Sequence, residues 1–306
     1  MNVSSVNGHQ ISAMTLGTVQ LGLPYGVNNK RGMPSYGEAE NILRTALKYG
    51  ICSFDTARAY GKSEDVLGKF FSGTDAQKTI ITKVLFNDES IDEVRDSLFM
   101  QVKDSIKRLG VSHLPFLMLH REEYVDRYGN HLMMALKELK NEGLVSGIGI
   151  SFSDKSNMDR ILYNNDFDCI QIPQNIFDNK ELITGKLAEL KNMGIAVFIR
   201  SVYLQGLFFR DTNDLPPKLS VAKSALEKLH VIADKNGIST SQLALSYIRD
   251  GEGITSLVLG CEAVEQLKDS VKQFSCPPLD KGIRDELNEI AASVDKIVLR
   301  PWEWNG

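Results

Sequence analysis

Eight short apolar runs recur along the 306-residue chain: "SAMTLGTV" (12–19), "ICSFDT" (51–56), "TIITKVL" (79–85), "LPFLMLH" (114–120), "VSGIGIS" (145–151), "FDCIQIP" (167–173), "IAVFIRS" (195–201) and "ITSLVLG" (254–260). Runs of this length predict strands. Between them lie longer stretches, such as "YGEAENILRTALKYG", "IDEVRDSLFMQVKDSIKRLG" and "MMALKELKNEG", whose apolar residues return every three or four positions. That spacing predicts amphipathic helices. Several end in a glycine just before the next strand (Gly50, Gly110, Gly143, Gly194), where a left-handed residue commonly closes a helix. Strand followed by helix, eight times over, predicts parallel strands closed into an α/β fold of the (β/α)8 TIM-barrel type. The near-continuous apolar character of "IAVFI" and "FLML" suits strands covered on both faces. An open doubly wound sheet is the competing architecture. It usually carries a G-x-G-x-x-G turn after its first strand, and "TLGTVQLGLPYG" does not match. No Ser-, Gly- or Pro-rich linker divides residues 1–306, so a single domain is expected. The segment 202–220, with adjacent Pro216 and Pro217, is longer than an ordinary connection, and such loops are often functional.

Composition adds bounds. With 42% hydrophobic and 24% charged residues and a net charge of −4, the chain has the make-up of an ordinary soluble protein. No run approaches a membrane span, and the start lacks a basic segment followed by an apolar one, so a cytoplasmic location is expected. Cys52, Cys169, Cys261 and Cys276 lie far apart without a C-x-x-C pair and read as reduced, mostly buried thiols. The mildly acidic balance, without basic clusters interleaved with aromatics, argues against a nucleic-acid partner. Nothing in the chain specifies an oligomeric state.

In a barrel of this kind the loops after the strands share one face, which is where chemistry is sought. Asp55 follows "ICSF", Tyr60 sits in the loop beyond, Lys83 lies inside "TIITKVL" and His120 ends "LPFLMLH". Singly, Asp55 could cap a helix, Tyr60 pack at a rim and His120 sit satisfied in the core. Lys83 is harder to explain away, because an ammonium within an apolar strand needs an anion. Asp55 on the neighbouring strand is the right type at the right level. A cation beside Tyr60 is expected to lower the phenol's pKa and make it a usable proton donor and acceptor near neutral pH. His120 could add a hydrogen bond to the phenol or to a substrate oxygen. Ser63 is expected to N-cap the next helix, with Glu64 and Asp65 in its first turn.

These motifs resemble the aldo-keto reductase family: "FDTARAYGKSEDVLG" (54–68), "ITKV" (81–84), His120 in "LMLH", "GIGIS" (147–151), "IQIPQNIFD" (170–178), "SVYLQGLF" (201–208) and "LVLGCEAVEQL" (257–267), in family order across nearly the whole chain. The resemblance implies that Asp55, Tyr60, Lys83 and His120 form a catalytic tetrad. The implied reaction is NADPH- or NADH-dependent reduction of a small aldehyde, ketone or sugar-derived carbonyl, or the reverse, with Tyr60 supplying the proton. It also implies that Ser151 and Gln171 bind the nicotinamide carboxamide, that Ser201, Leu204 and Gly206 lie along the pyrophosphate, and that Gly260, Glu262 and Gln266 approach the adenosine. Thr18 joins the cofactor-binding set.

Three positions depart from the family pattern. Phe152 stands where Asn is frequent, which puts one carboxamide contact in doubt, and Arg200 stands where many members stack an aromatic ring on the nicotinamide. A guanidinium can stack as well, or pair with an anionic substrate group. Cys261-Glu262-Ala263 replaces the usual partners of a 2′-phosphate, and a carboxylate there favours NADH at least comparably. A cofactor-sensing regulatory subunit is the alternative on the same scaffold. A metal-dependent hydrolase lacks support, since no H-x-H or H-E-x-x-H spacing occurs. Pocket walls are expected from 20–34, 121–130, 202–220 and the tail "LRPWEWNG". Trp302 and Trp304 could line the pocket or pack the terminus, and Arg58 and Arg121 could favour an acidic substrate.

Overall fold

A computed structural model describes every residue except Val27, Asn28, Lys30, Asn165, Asn305 and Gly306. The first three of these fall within the expected wall 20–34 and the last two within the tail, so those parts of the expectation lie outside the described residues.

The chain begins with an antiparallel hairpin, β1 (Val3–Val6) and β2 (His9–Ser12). Eight parallel strands follow: β3 (Met14–Gly17), β4 (Ser53–Asp55), β5 (Thr79–Val84), β6 (Leu114–Leu119), β7 (Val145–Ser151), β8 (Cys169–Pro173), β9 (Ala196–Arg200) and β10 (Ser256–Gly260). They close into a barrel in sequence order, with β10 bonded to both β9 and β3. The expected architecture is therefore present.

The helices are α1 (Val19–Gly22), α2 (Tyr36–Lys48), α3 (Ser63–Phe71), α4 (Val94–Leu109), α5 (Glu123–Asn141) and α6 (Met158–Asn164). They continue with α7 (Lys180–Ile183), α8 (Lys186–Asn192), α9 (Lys223–Lys235), α10 (Thr240–Arg249), α11 (Val264–Phe274) and α12 (Lys281–Ala291). Ser35 and Glu38 form a reciprocal capping box at the start of α2. Gly50, Gly110, Gly143 and Gly194 all take positive φ, as their positions before strands led one to expect. Two expectations change. Much of 121–130 is helical, since α5 begins at Glu123 and is interrupted only at Gly129 (φ 50). The 202–220 segment is not a featureless loop: it contains the 3-10 turns Leu204–Phe209 and Pro217–Ala222.

Two apolar layers sandwich the sheet. Outside, strand and helix side chains form the larger core. Inside, Ile11, Ile81, Phe116, Met118, Cys169, Ala196 and Phe198 fill the barrel, so β2 plugs its N-terminal mouth through Ile11. Successive strand residues point to opposite faces, so the inward row continues two residues further to the C-terminal mouth. That step leads from Ile81 to Lys83, from Met118 to His120, from Cys169 to Gln171 and from Phe198 to Arg200, while Ser53 leads to Asp55 and Gly149 to Ser151. On β5, β6, β8 and β9 apolar residues thus give way to polar ones where the barrel opens, while Thr15, Ser53 and Ser256 form a buried hydroxyl cluster inside it.

The turn carrying Tyr60 is gripped by two glycines. A Cβ on Gly22 would lie 1.9 Å from the Tyr60 carbonyl oxygen, and one on Gly61 (φ 56) would lie 2.5 Å from the Gly22 carbonyl oxygen. Backbone on backbone has little room to yield. Gly22→Ala is expected to cost about 1–3 kcal/mol through overpacking, read as a lower denaturation midpoint at constant m-value. A midpoint equal to wild type would show that the turn tolerates displacement.

Candidate active site

Lys83 is fully buried, and its Nζ donates to Asp55 Oδ1 at 2.6 Å and to the Thr56 carbonyl at 3.0 Å. Gln171 Nε2 donates to the same Asp55 oxygen at 2.7 Å. A carboxylate only accepts, so this bond fixes the Gln171 amide with its nitrogen toward Asp55 and leaves its oxygen to accept elsewhere. Burial alone would depress the Lys83 ammonium, but the Asp55 charge and the Tyr60 phenol outweigh it, and its pKa is raised. Lys83 is therefore a permanent cation.

Nζ lies 5.1 Å from the centre of the Tyr60 ring, and the His120 ring meets Tyr60 edge-on at 5.7 Å and 82°. The four residues converge as anticipated. The expected lowering of the Tyr60 pKa is reversed: burial raises it, and the opposing charge of Lys83, itself partly offset by Asp55, does not overcome the loss of water. The phenol rests protonated. His120 moves the other way. Burial, followed by the charges of Lys83, Arg200 and Arg121, lowers its pKa to about 3, so its ring is neutral, and its Nδ1 is buried with no hydrogen-bond partner among the described residues.

Ser63 is not the N-cap. Lys62 holds that position, and the Ser63 hydroxyl is buried against Thr18 Oγ1 at 2.7 Å and Thr56 Oγ1 at 2.9 Å. Thr18 also donates to the Asp55 carbonyl at 2.8 Å, which ties its hydroxyl to the scaffold. These bonds tie the Tyr60 turn to β3 and β4. Glu64 and Asp65 do occupy the first turn of α3, and Glu64 is buried, accepting from Thr82 at 2.7 Å. Arg58 turns away from the mouth toward Asp104 and Glu64, whereas exposed Arg121 pairs with Glu123 at 3.2 Å. Trp304 packs the terminus, its Nε1 donating to the Ile297 carbonyl at 3.0 Å, while Trp302 is exposed.

Around this centre, Ser151 and Gln171 sit side by side in register at the ends of β7 and β8. Phe152 buries its ring in the core, and its carbonyl accepts from Arg200 at 2.9 Å. Beyond β9 the backbone is strained: Ser201, Leu204 and Gln205 take φ of 62, 46 and 53°, followed by Gly206 at 88°. Non-glycine residues rarely adopt such values outside functional turns. Gly260 ends β10 so close to Gln20 that a Cβ would meet its Oε1 at 2.4 Å, and that oxygen is buried with no hydrogen-bond partner among the described residues. Glu262 N donates to Gln266 Oε1 at 2.8 Å, and Gln266 Nε2 returns a bond to Glu262 Oε1 at 3.2 Å.

This donor set fits a nicotinamide dinucleotide. The Gln171 oxygen and Ser151 hydroxyl suit a carboxamide, the strained turn exposes backbone beside it, and the orphaned Gln20 oxygen suits a ligand hydroxyl. Gln20, Gly22 and Tyr25 lie in the 20–34 stretch expected as a pocket wall and Gly61 in the 54–68 motif, but the sequence singles out none of them; Tyr25 is close enough to influence the Tyr60 phenol. None carries a local signal, because each matters only through a neighbour distant in the chain.

Asp55, Tyr60, Lys83 and His120 meet at the open mouth of a (β/α)8 barrel, and the family this chain matches makes it an NAD(P)-dependent oxidoreductase. The profile of the Aldo/keto reductase family matches residues 13–292, and the chain belongs to that family. It is 26% identical to L-galactose dehydrogenase of Arabidopsis thaliana, with 96% of this chain and 94% of that protein covered. It is also 26% identical to L-glyceraldehyde 3-phosphate reductase of Escherichia coli O157:H7, covering 93% and 94%. Among solved structures, the holo form of aldo-keto reductase AKR11C1 from Bacillus halodurans superposes with a TM-score of 0.77 at 21% identity, over 96% of this chain and 97% of that one.

The His120 ring should show its pKa in solution. An unfolded imidazole takes up a proton near 6.5 and the folded one only near 3. The neutral ring therefore contributes stability that is complete above the unfolded value and is lost as pH falls toward the folded one. The His120 C2–H resonance, assigned with His120→Gln, is expected to stay unshifted from about pH 8 to about pH 5. A titration midpoint inside that window would contradict the assigned environment.

Proposed function

We propose that the protein reduces a small hydroxylated aldehyde or ketone with Tyr60 as the proton donor, and that NADH serves at least as well as NADPH. The observation that carries this reading is the buried Lys83 ammonium, held by Asp55 beneath a phenol that burial keeps protonated. When bound, the nicotinamide supplies the hydride. The residues do the rest. Tyr60 Oη meets the carbonyl oxygen and gives up its proton as negative charge develops there. Lys83 stabilises the resulting phenolate, and its own charge is secured by Asp55. Neutral His120 orients the same oxygen by a hydrogen bond.

Ser151 and the oxygen of Gln171, turned away from Asp55 by the amide's bond to it, would hold the carboxamide. The Ser201, Leu204 and Gly206 turn would hold the pyrophosphate, and Gly260, Glu262 and Gln266 would hold the adenosine end. Glu262, oriented by Gln266, accepts from ribose hydroxyls and opposes a 2′-phosphate. Thr18 acts through the scaffold. Relatives named for L-galactose and L-glyceraldehyde 3-phosphate support a sugar-derived substrate, and four unpaired cysteines support a reducing, cytoplasmic setting. No observation favours a purely regulatory role.

Tyr60→Phe removes the transferable proton and leaves the ring. It is expected to lower kcat by roughly 10²-fold or more on a model aldehyde while reduced-cofactor binding stays within about twofold. Turnover equal to wild type would remove Tyr60 from the mechanism. Titrations with both reduced cofactors test Glu262: Glu262→Ser should improve NADPH affinity relative to NADH by roughly tenfold. An unchanged ratio would mean that the carboxylate does not face the 2′ position.

A further inference from the structure

The charges at the mouth do not all cancel. Lys83 has Asp55, Arg121 has Glu123, and Arg58 has Asp104 and Glu64. Arg200 has no carboxylate within ion-pair distance among the described residues. Its guanidinium is pinned by neutral acceptors instead, the Phe152 carbonyl at 2.9 Å and Ser201 Oγ at 3.3 Å.

Those contacts fix where the charge sits. Phe152 follows Ser151 at the end of β7, and Arg200 pairs in register with Pro173 of β8, two residues beyond Gln171. The guanidinium therefore bridges the ends of β7 and β9, flanking the residues assigned to the carboxamide. Its field also reaches both Tyr60 and His120. A nicotinamide ring held at Ser151 and Gln171, and reacting beside Tyr60, must lie within that field. The oxidised ring carries a positive charge and the reduced ring is neutral, so an uncompensated cation discriminates between them. The rest of the dinucleotide is the same in both forms.

We propose that Arg200 is a redox-state selector: its unpaired charge weakens binding of the oxidised nicotinamide relative to the reduced one, so the site fills with the reduced form and releases the spent one. This rests on the proposed placement of the carboxamide at Ser151 and Gln171. A residue that merely braces Phe152 would affect both forms alike.

Dissociation constants for the oxidised and reduced forms of the better-binding dinucleotide, measured by calorimetry on wild type, Arg200→Gln and Arg200→Lys, separate these roles. Wild type is expected to hold the reduced form on the order of tenfold more tightly. Arg200→Gln, which can still donate to the Phe152 carbonyl, should remove most of that ratio, and Arg200→Lys should retain it. If Arg200→Gln does not fold, Arg200→Met gives the same uncharged comparison. A common factor on both affinities in the uncharged variant, or a lysine variant that behaves like it, overturns the selector and leaves the cofactor site standing. A wild-type protein that binds neither form overturns both.

Discussion

One buried ammonium organises this molecule's open end. Lys83 has no access to water, and an unpaired charge in that setting is far too costly to keep. Removing one partner of such a pair typically costs about 3–5 kcal/mol. The solution is economical in atoms: a single Asp55 oxygen accepts from both Lys83 and Gln171, and the Thr56 carbonyl takes a second ammonium proton. Three strands, β4, β5 and β8, are thereby joined at their C-terminal ends by one carboxylate, and the remaining face of the ammonium is turned to Tyr60.

Why the polar residues meet there at all follows from strand geometry. The inward rows of β5, β6, β8 and β9 are apolar in the barrel interior and become polar two residues later, so the constellation is the last layer of a packed cylinder. Rigidity comes from below, through that layer of interior side chains, and from the side, through Gly22 and Gly61 pressed backbone to backbone against the Tyr60 turn. The Thr18, Ser63 and Thr56 hydroxyls complete the brace. Held in this way, Tyr60 loses little orientational freedom when a substrate arrives.

The direction of the Tyr60 shift matters for the chemistry. A phenol pushed upward by burial stays loaded with its proton at neutral pH, and the adjacent cation lessens the cost of losing that proton only when a substrate oxygen is ready to take it. Neutral His120 keeps further positive charge out of the same space. For the proposed reaction the arrangement suits carbonyl reduction, because the donor holds its proton before the reaction begins.

What the sequence determined by itself were the features that act over a few residues. Hydrophobic periods separated strands from helices, glycines marked helix ends, and a lysine inside "TIITKVL" demanded an acid of the kind that ends "ICSFD". What only the tertiary structure decided depended on partners far apart in the chain. Ser63 reads locally as a helix cap, yet its hydroxyl belongs to Thr18, 45 residues away, and Gln171 is tied to Asp55 across 116 residues. The sign of the Tyr60 shift, the retreat of Arg58 toward Asp104 and the orphaned oxygen of Gln20 arise the same way. Propensity and capping are settled within a turn of chain, whereas desolvation and long-range hydrogen bonds exist only once the barrel has closed around them.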